Sequence, residues 1–75
     1  MNKEHTSLYK QLGLNIAYFR KIKGLSQMAL AEKINISRTH MSRIETADCA
    51  VSLDIIFEIS KALDISPKQL FDFRD

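Results

Sequence analysis

The 75-residue chain has few of the residues that build covalent, metal or membrane sites. It contains one cysteine (Cys49), two glycines, one proline and no tryptophan. A single cysteine cannot form an internal disulfide, and a zinc site built on cysteine pairs is excluded. The first ten residues lack the apolar core of a signal peptide, and no apolar run approaches bilayer-spanning length. We therefore predict a cytoplasmic protein with no cofactor, no metal and no membrane partner.

The groupings that enzymes use are also missing. There is no glycine-rich phosphate loop, no His, Cys and Ser arranged in a catalytic motif, and no carboxylate pair in a predicted cleft. A domain of this size has little room for a pocket once its core is packed. We predict that the protein is not an enzyme and has no small-molecule ligand.

Charge is distributed unevenly along the chain. Residues 1–45 carry eight Lys or Arg against three Glu, whereas residues 46–75 carry three basic against six acidic residues. A basic N-terminal part favours a polyanionic partner such as DNA or RNA, although a solvated charged surface would give the same pattern. Single-stranded RNA is less favoured, because the sequence indicates no exposed aromatic platform for stacking bases.

Four serines indicate the starts of four helices. Each has an apolar residue before it and another four positions after it. A serine at the N-cap accepts a hydrogen bond from a free backbone N–H of the first turn, and the two apolar residues pack as a hydrophobic staple. The patterns are Leu25-Ser26…Leu30, Ile36-Ser37…Met41, Val51-Ser52…Ile56 and Ile65-Ser66…Leu70. We expect these starts to rely on the serine and the staple, without a capping box.

A longer helix precedes these four. Apolar residues recur at helical spacing between Ser7 and Lys23, and Gly24 follows as the expected left-handed residue after a helix end. No alternating strand pattern is present. We therefore predict one all-α domain over residues 1–75, with five short helices around one core. The predicted helices span about 7–23, 27–34, 38–46, 53–63 and 67–72.

The turn between the second and third helices is very short, because only Asn35 and Ile36 separate them. Asn is the non-glycine residue that best tolerates a left-handed conformation. A turn this short makes the two helices cross at roughly 90–120°. The apolar residues of the third helix must face the core, so its N-terminal end, with Arg38 and Arg43, is predicted to form an exposed positive edge.

The segment LSQMALAEKINISRTHMSRIE, residues 25–45, resembles the helix-turn-helix of phage repressor and Cro proteins, in the XRE-type family of bacterial regulators. The flanking segments FRKIKG and SLDIIFEISKALDISPKQLF also match, so the resemblance covers about residues 12–71. The matching positions in the motif are Leu25, Ser26, Gln27, Leu30, Ala31, Ile36, Ser37, Met41, Ile44 and Glu45. The resemblance implies a five-helix, lambda-repressor-like domain that binds double-stranded DNA sequence-specifically.

The resemblance also implies roles for individual side chains. The third helix would lie in the major groove, where Arg38, Thr39 and Arg43 would contact base edges. Arg20 and Glu45 match a pair that forms a structural salt bridge between the first and third helices. The residues that would contact DNA phosphates are Gln27, Ser37, Ser42 and Thr46.

A symmetric homodimer on a palindromic operator is a further implication, with half-sites about 34–36 Å apart. The candidates for its two-fold interface lie near the C-terminus and would otherwise leave an apolar patch exposed. They are Ile65, Leu70, Phe71 and Phe73. The same residues could instead close the core of the monomer. A small, dimeric, repressor-like transcriptional regulator is our leading prediction.

The alternative is a protein-interaction module on the same fold, either an antitoxin or an adaptor without DNA affinity. The segment TADCAV after Glu45 offers no Lys or Arg for a phosphate, and we expect Asp48 to repel DNA there. The exposed Arg38 and Arg43 argue against the adaptor. Salt dependence separates the two functions, because DNA binding releases counterions and an apolar protein interface does not.

Overall fold

The computed structural model describes residues 2–73 and shows five α-helices, with no strand in that range. A 3-10 turn at Lys3–His5 precedes them. The helices are α1 (Thr6–Ile22), α2 (Gln27–Lys33), α3 (Arg38–Glu45), α4 (Leu53–Leu63) and α5 (Pro67–Leu70). The predicted all-α fold is confirmed. The helix α5 is two residues shorter than predicted, because Phe71 already leaves helical geometry.

Serine side chains cap the N-termini of α2, α3 and α4 as predicted. The hydroxyls of Ser26, Ser37 and Ser52 each accept a hydrogen bond from the backbone N–H three residues later, at 3.0, 3.0 and 3.2 Å. Each cap satisfies a donor that has no partner inside the helix. The helix starts are therefore determined locally.

The helix α5 begins with a capping box, so the expectation that this device would be absent was wrong. The backbone N–H of Ser66 donates to Oε1 of Gln69 at 3.1 Å, and the Ser66 hydroxyl accepts from Lys68 N at 3.3 Å. Gln69 lies three residues after Ser66, which is the spacing that the box requires. The serine and glutamine that form the box could therefore have been recognised in the sequence.

The helices α1 to α4 all end in the same left-handed turn. The left-handed residues are Gly24, Asn35, Ala47 and Asp64, with φ of 73, 61, 60 and 55°. After each one the backbone N–H of the next residue returns to the helix, for example Leu25 N to Arg20 O at 3.0 Å. This is the Schellman motif, which satisfies the last carbonyl groups of a helix. We predicted it at Gly24 and Asn35 but not at Ala47 or Asp64.

One core is shared by all five helices. Gly13 allows α1 to approach the end of α3 closely, because a Cβ atom at this position would lie 2.3 Å from the backbone oxygen of Glu45. The buried apolar residues come from all five helices and include Ile34, which directly follows α2. They are Leu12, Ile16, Leu30, Ala31, Ile34, Met41, Ile44, Ile56, Ile59, Leu63 and Leu70.

Leu70 closes this core and is not a surface residue, so its prediction as a dimer-interface candidate was wrong. Its side chain is fully buried. The reason is that α5 folds back on the helices before it, where Asn15 Nδ2 donates to the backbone oxygen of Leu70 at 2.9 Å. Ile65 and Phe73 are partly buried against the core, whereas Phe71 remains 43% exposed.

Candidate nucleic-acid interface

The turn between α2 and α3 is held by two backbone hydrogen bonds. Asn35 N donates to Glu32 O at 3.3 Å, and Ile36 N donates to Ala31 O at 3.0 Å. The left-handed Asn35 reverses the chain, and Ile36 packs against the core. Because Ser37 then caps α3 directly, the first turn of α3 is placed at the surface by residues adjacent to it in sequence.

The helix α3 has one buried face and one exposed polar face. Met41 and Ile44 are almost completely buried, with relative exposures of 0% and 3%. Arg38, Thr39 and Arg43 are exposed. At 3.6 residues per turn, these three side chains lie on the side of the helix away from the core. The structure therefore brings together the three residues that we predicted to contact bases.

A buried ion pair connects α3 to α1. Nε of Arg20 donates to Oε2 of Glu45 at 2.7 Å, and Nη2 donates to Oε1 at 3.0 Å. The two side chains are only 9% and 5% exposed. Nη1 of the same arginine donates to the backbone oxygen of Leu25 at 2.8 Å. The pair that the resemblance implied is thus formed, and it lies in the interior.

Gln27 also belongs to this network, which the sequence did not indicate. Its Nε2 donates to Oε1 of Glu45 at 3.0 Å, and its side chain is half-buried. The Glu45 carboxylate therefore joins α1, α2 and α3 through Arg20 and Gln27. Within residues 2–73, every buried side-chain polar atom has a hydrogen-bond partner. The orientation of α3 relative to α2 is consequently fixed by charged hydrogen bonds as well as by packing.

Of the other residues predicted to contact phosphates, Ser37 and Thr46 flank the two ends of α3, and Ser42 lies within the helix. Ser37 is exposed and caps the helix, and Ser42 is half-buried. The hydroxyl of Thr46 donates to Ser42 O at 2.9 Å, so its proton is already engaged within the helix. In this conformation, Thr46 has no free O–H to donate to a phosphate oxygen.

Asp48 lies beside Arg43, which the sequence did not predict. Its Oδ2 is 3.4 Å from Nε of Arg43, and the two side chains are 67% and 60% exposed, respectively. We expected Asp48 only to repel DNA. The structure shows that the same carboxylate contacts a predicted base-reading side chain.

In the part of the chain that the structure describes, no group of three His, Cys, Asp or Glu residues is arranged to bind a metal ion. No helix in that part is both long and apolar enough to span a bilayer.

A short helix, a tight turn and a second helix with an exposed face that carries two arginines define the class: a helix-turn-helix protein of the type that binds DNA. Comparison with known sequences agrees, since residues 16–70 match the helix-turn-helix family HTH_3. The chain belongs to this family. The resemblance to repressor and Cro-type regulators is thereby confirmed.

Individual proteins that are similar to this chain are also regulators. The control protein C.BamHI of Bacillus amyloliquefaciens is 49% identical over 49 residues, which cover 65% of this chain and 60% of C.BamHI. The restriction-modification controller protein C.AhdI of Aeromonas hydrophila superposes with a TM-score of 0.87 at 34% identity, covering 91% of this chain and 99% of C.AhdI. The clp gene regulator ClgR of C. glutamicum superposes with a TM-score of 0.80 at 28% identity, over 84% and 82% of the two chains.

Proposed function

We propose that the protein binds double-stranded DNA sequence-specifically and regulates transcription, with α3 in the major groove. The observation that carries this proposal is the exposed polar face of α3, on which Arg38, Thr39 and Arg43 lie together. An arginine can bond O6 and N7 of guanine at once, and a threonine can contact the methyl group of thymine. The regulatory role is supported by the relatives, which include a control protein and a gene regulator.

The buried network supports base reading because it holds α3 rigidly. A side chain discriminates between bases only when its helix presents it at a reproducible distance and angle. Arg20 and Glu45 supply this rigidity through two hydrogen bonds of 2.7 and 3.0 Å.

Phosphate contacts from Gln27, Ser37, Ser42 and Thr46 remain part of the proposal, and the Thr46 contact requires its hydroxyl to turn away from the backbone oxygen of Ser42. Gln27 lies at the N-terminus of α2, where free N–H groups attract anions. Its amide nitrogen carries a second N–H in addition to the one that Glu45 accepts, so both contacts are compatible. These contacts would position the protein on DNA without selecting a sequence.

We also propose a homodimer on a palindromic operator, assembled through an apolar surface on the side of α4. Leu8, Leu53 and Phe71 line an open groove of about 430 Å³ and are 49%, 61% and 43% exposed. Phe57 lies one helical turn from Leu53 and is 51% exposed. A two-fold axis through this surface would remove these side chains from water, which favours association. Of the candidates predicted from the sequence, Phe71 and Phe73 line this groove, and Ile65 does not.

The regulated genes are proposed to include those of a restriction-modification system. The C.AhdI protein, which this chain covers almost completely, is a restriction-modification controller. Because the regulated DNA is cytoplasmic in bacteria, the protein would act in that compartment.

Selection of bound duplexes from a random pool tests the proposal, using wild type and the double variant Arg38→Ala/Arg43→Ala. A palindromic motif that wild type enriches and the variant does not would support a dimeric sequence reader. No enrichment by wild type would refute sequence-specific binding and favour the protein-interaction module. Equal enrichment of one motif by both proteins would instead refute the assignment of Arg38 and Arg43 as base-contacting residues. Repeating the binding at several salt concentrations is informative, because log K for DNA falls with log salt at a slope of about −0.9 per phosphate contacted.

A further inference from the structure

The turn after α3 differs from the three other Schellman turns at the position that follows the left-handed residue. In this motif the residue after the left-handed position usually makes an apolar contact with the helix it has just left. At the ends of α1, α2 and α4 this residue is Leu25, Ile36 or Ile65, each packed against the core. At the end of α3 it is Asp48, which is exposed.

The backbone of this turn holds Asp48 next to Arg43. Asp48 N donates to Arg43 O at 2.8 Å, and the left-handed Ala47 reverses the chain between them. Ala47 is only 7% exposed, so the turn is anchored in the protein interior. The carboxylate is therefore presented to the guanidinium group by an ordered backbone, and Oδ2 comes within 3.4 Å of Nε.

We infer that Asp48 is a positioning residue for Arg43 and sharpens the reading of one base pair. The inference rests on the function proposed above. The closest contact uses Nε, and the remaining N–H donors of an arginine all lie on Nη1 and Nη2. With the Asp48 carboxylate 3.4 Å from Nε, the guanidinium group is biased to present this terminal pair to the O6 and N7 acceptors of guanine.

Stability alone gives no reason for this ion pair. Both side chains are more than half exposed and the contact is long, so the pair contributes little to folding. A carboxylate beside the reading helix also repels DNA phosphates and weakens binding to every sequence. Asp48 thus lowers general affinity while restricting the orientations of Arg43, which favours the correct base pair over others.

The test compares wild type with Asp48→Asn, which keeps the side-chain shape and removes the charge. Three duplexes are needed: the selected site, a random duplex and a changed site. The changed site differs from the selected site at one base pair, which is the pair for which Arg43→Ala abolishes the preference. We expect Asp48→Asn to bind random DNA about two- to fivefold more tightly, whereas the ratio of affinities for the selected and changed sites falls about two- to fivefold.

A matched control separates positioning from simple charge removal. Glu32 is exposed on α2 and forms no ion pair within residues 2–73. Glu32→Gln should change affinity for all three duplexes alike and leave their ratio unchanged. Asp48→Leu, which restores the apolar residue of the other turns, should remain folded and reduce the ratio as Asp48→Asn does. Thermal unfolding checks that each variant is folded.

The Arg43→Ala background provides the decisive comparison. In this background there is no guanidinium group to position, so Asp48→Asn should no longer change the ratio of affinities for the selected and changed sites. A change that persists in this background, or a wild-type ratio in Asp48→Asn alone, would overturn the inference and leave Asp48 as a repulsive charge. Wild type without any sequence preference would instead refute the proposed function, and this inference with it.

Discussion

Arg20 and Glu45 are 25 residues apart in sequence and form a bidentate ion pair in the protein interior. The distances of 2.7 and 3.0 Å are those of charge-assisted hydrogen bonds, and the arginine and the glutamate have their other partners in Leu25 and Gln27. A buried pair of charges persists only when such bonds replace the lost water. This pair therefore fixes the end of α3 against α1.

Removing Arg20 should destabilise the protein strongly. Arg20→Ala is expected to lower the free energy of unfolding by about 3–5 kcal/mol, because it leaves the Glu45 carboxylate buried without its cation. Urea denaturation followed by far-UV circular dichroism measures the change. The control is Arg43→Ala, whose exposed ion pair with Asp48 should contribute at most about 1 kcal/mol. Equal losses in the two variants would contradict the assignment of Arg20 as a buried structural residue.

Gly13→Ala should also destabilise the fold, although alanine is the better helix former. The added Cβ would meet the backbone of Glu45, and neither helix can move away without disturbing the core. We expect a loss of about 1–3 kcal/mol in the free energy of unfolding from this overpacking. In Gly24→Ala no atom lies within 4 Å of the new Cβ, so only the left-handed backbone is penalised, by roughly 1–2 kcal/mol. A Gly13→Ala protein more stable than wild type would show that α1 and α3 are not in close contact.

Arg43 and Gln27 should affect DNA binding in different ways. Arg43→Ala is expected to weaken binding to the selected site by about 1–3 kcal/mol and to relax preference at one base pair. Gln27→Ala should weaken binding to all sequences alike, and it should also lower the free energy of unfolding by about 1–2 kcal/mol, because a hydrogen bond to Glu45 is lost.

Fluorescence anisotropy on specific and random duplexes, with urea denaturation of each variant, measures both effects. An equal loss on both duplexes for Arg43→Ala would exclude it as a base reader. A Gln27→Ala variant with unchanged stability would show that its contact with Glu45 contributes nothing to the fold.

The proposed dimer predicts that a charge on the apolar surface of α4 produces monomers. Phe57→Glu would place a carboxylate in the buried interface, so sedimentation should show a monomer and affinity for a palindromic site should fall about tenfold or more. Leu14→Glu is a suitable control, because Leu14 is 67% exposed on α1 and lies outside the proposed surface, whereas Phe57 lies one helical turn from Leu53, which lines the groove. Equal effects of the two substitutions, or a Phe57→Glu dimer, would place the interface elsewhere.

Local signals in the sequence determined the helices and the turn of the motif. A serine cap depends only on the backbone three residues later, so Ser26, Ser37 and Ser52 specify helix starts without help from distant residues. Gly24 and Asn35 similarly specify turns through their own tolerance of positive φ. With the motif in residues 25–45, these features were sufficient to predict an all-α helix-turn-helix fold and the exposed face of α3.

The remaining features depended on tertiary structure, because they join residues whose proximity has no local signal. Ala47 adopts a positive φ that alanine rarely takes, and its burial in the protein interior supports the turn that brings Asp48 to Arg43. Gln27 meets Glu45 because α2 packs across α3, although 18 residues separate the two. The apolar character of Leu70 is compatible with either an interface or a core. Leu70 lies in the core because α5 folds back onto α1, where Asn15 bonds the Leu70 backbone oxygen.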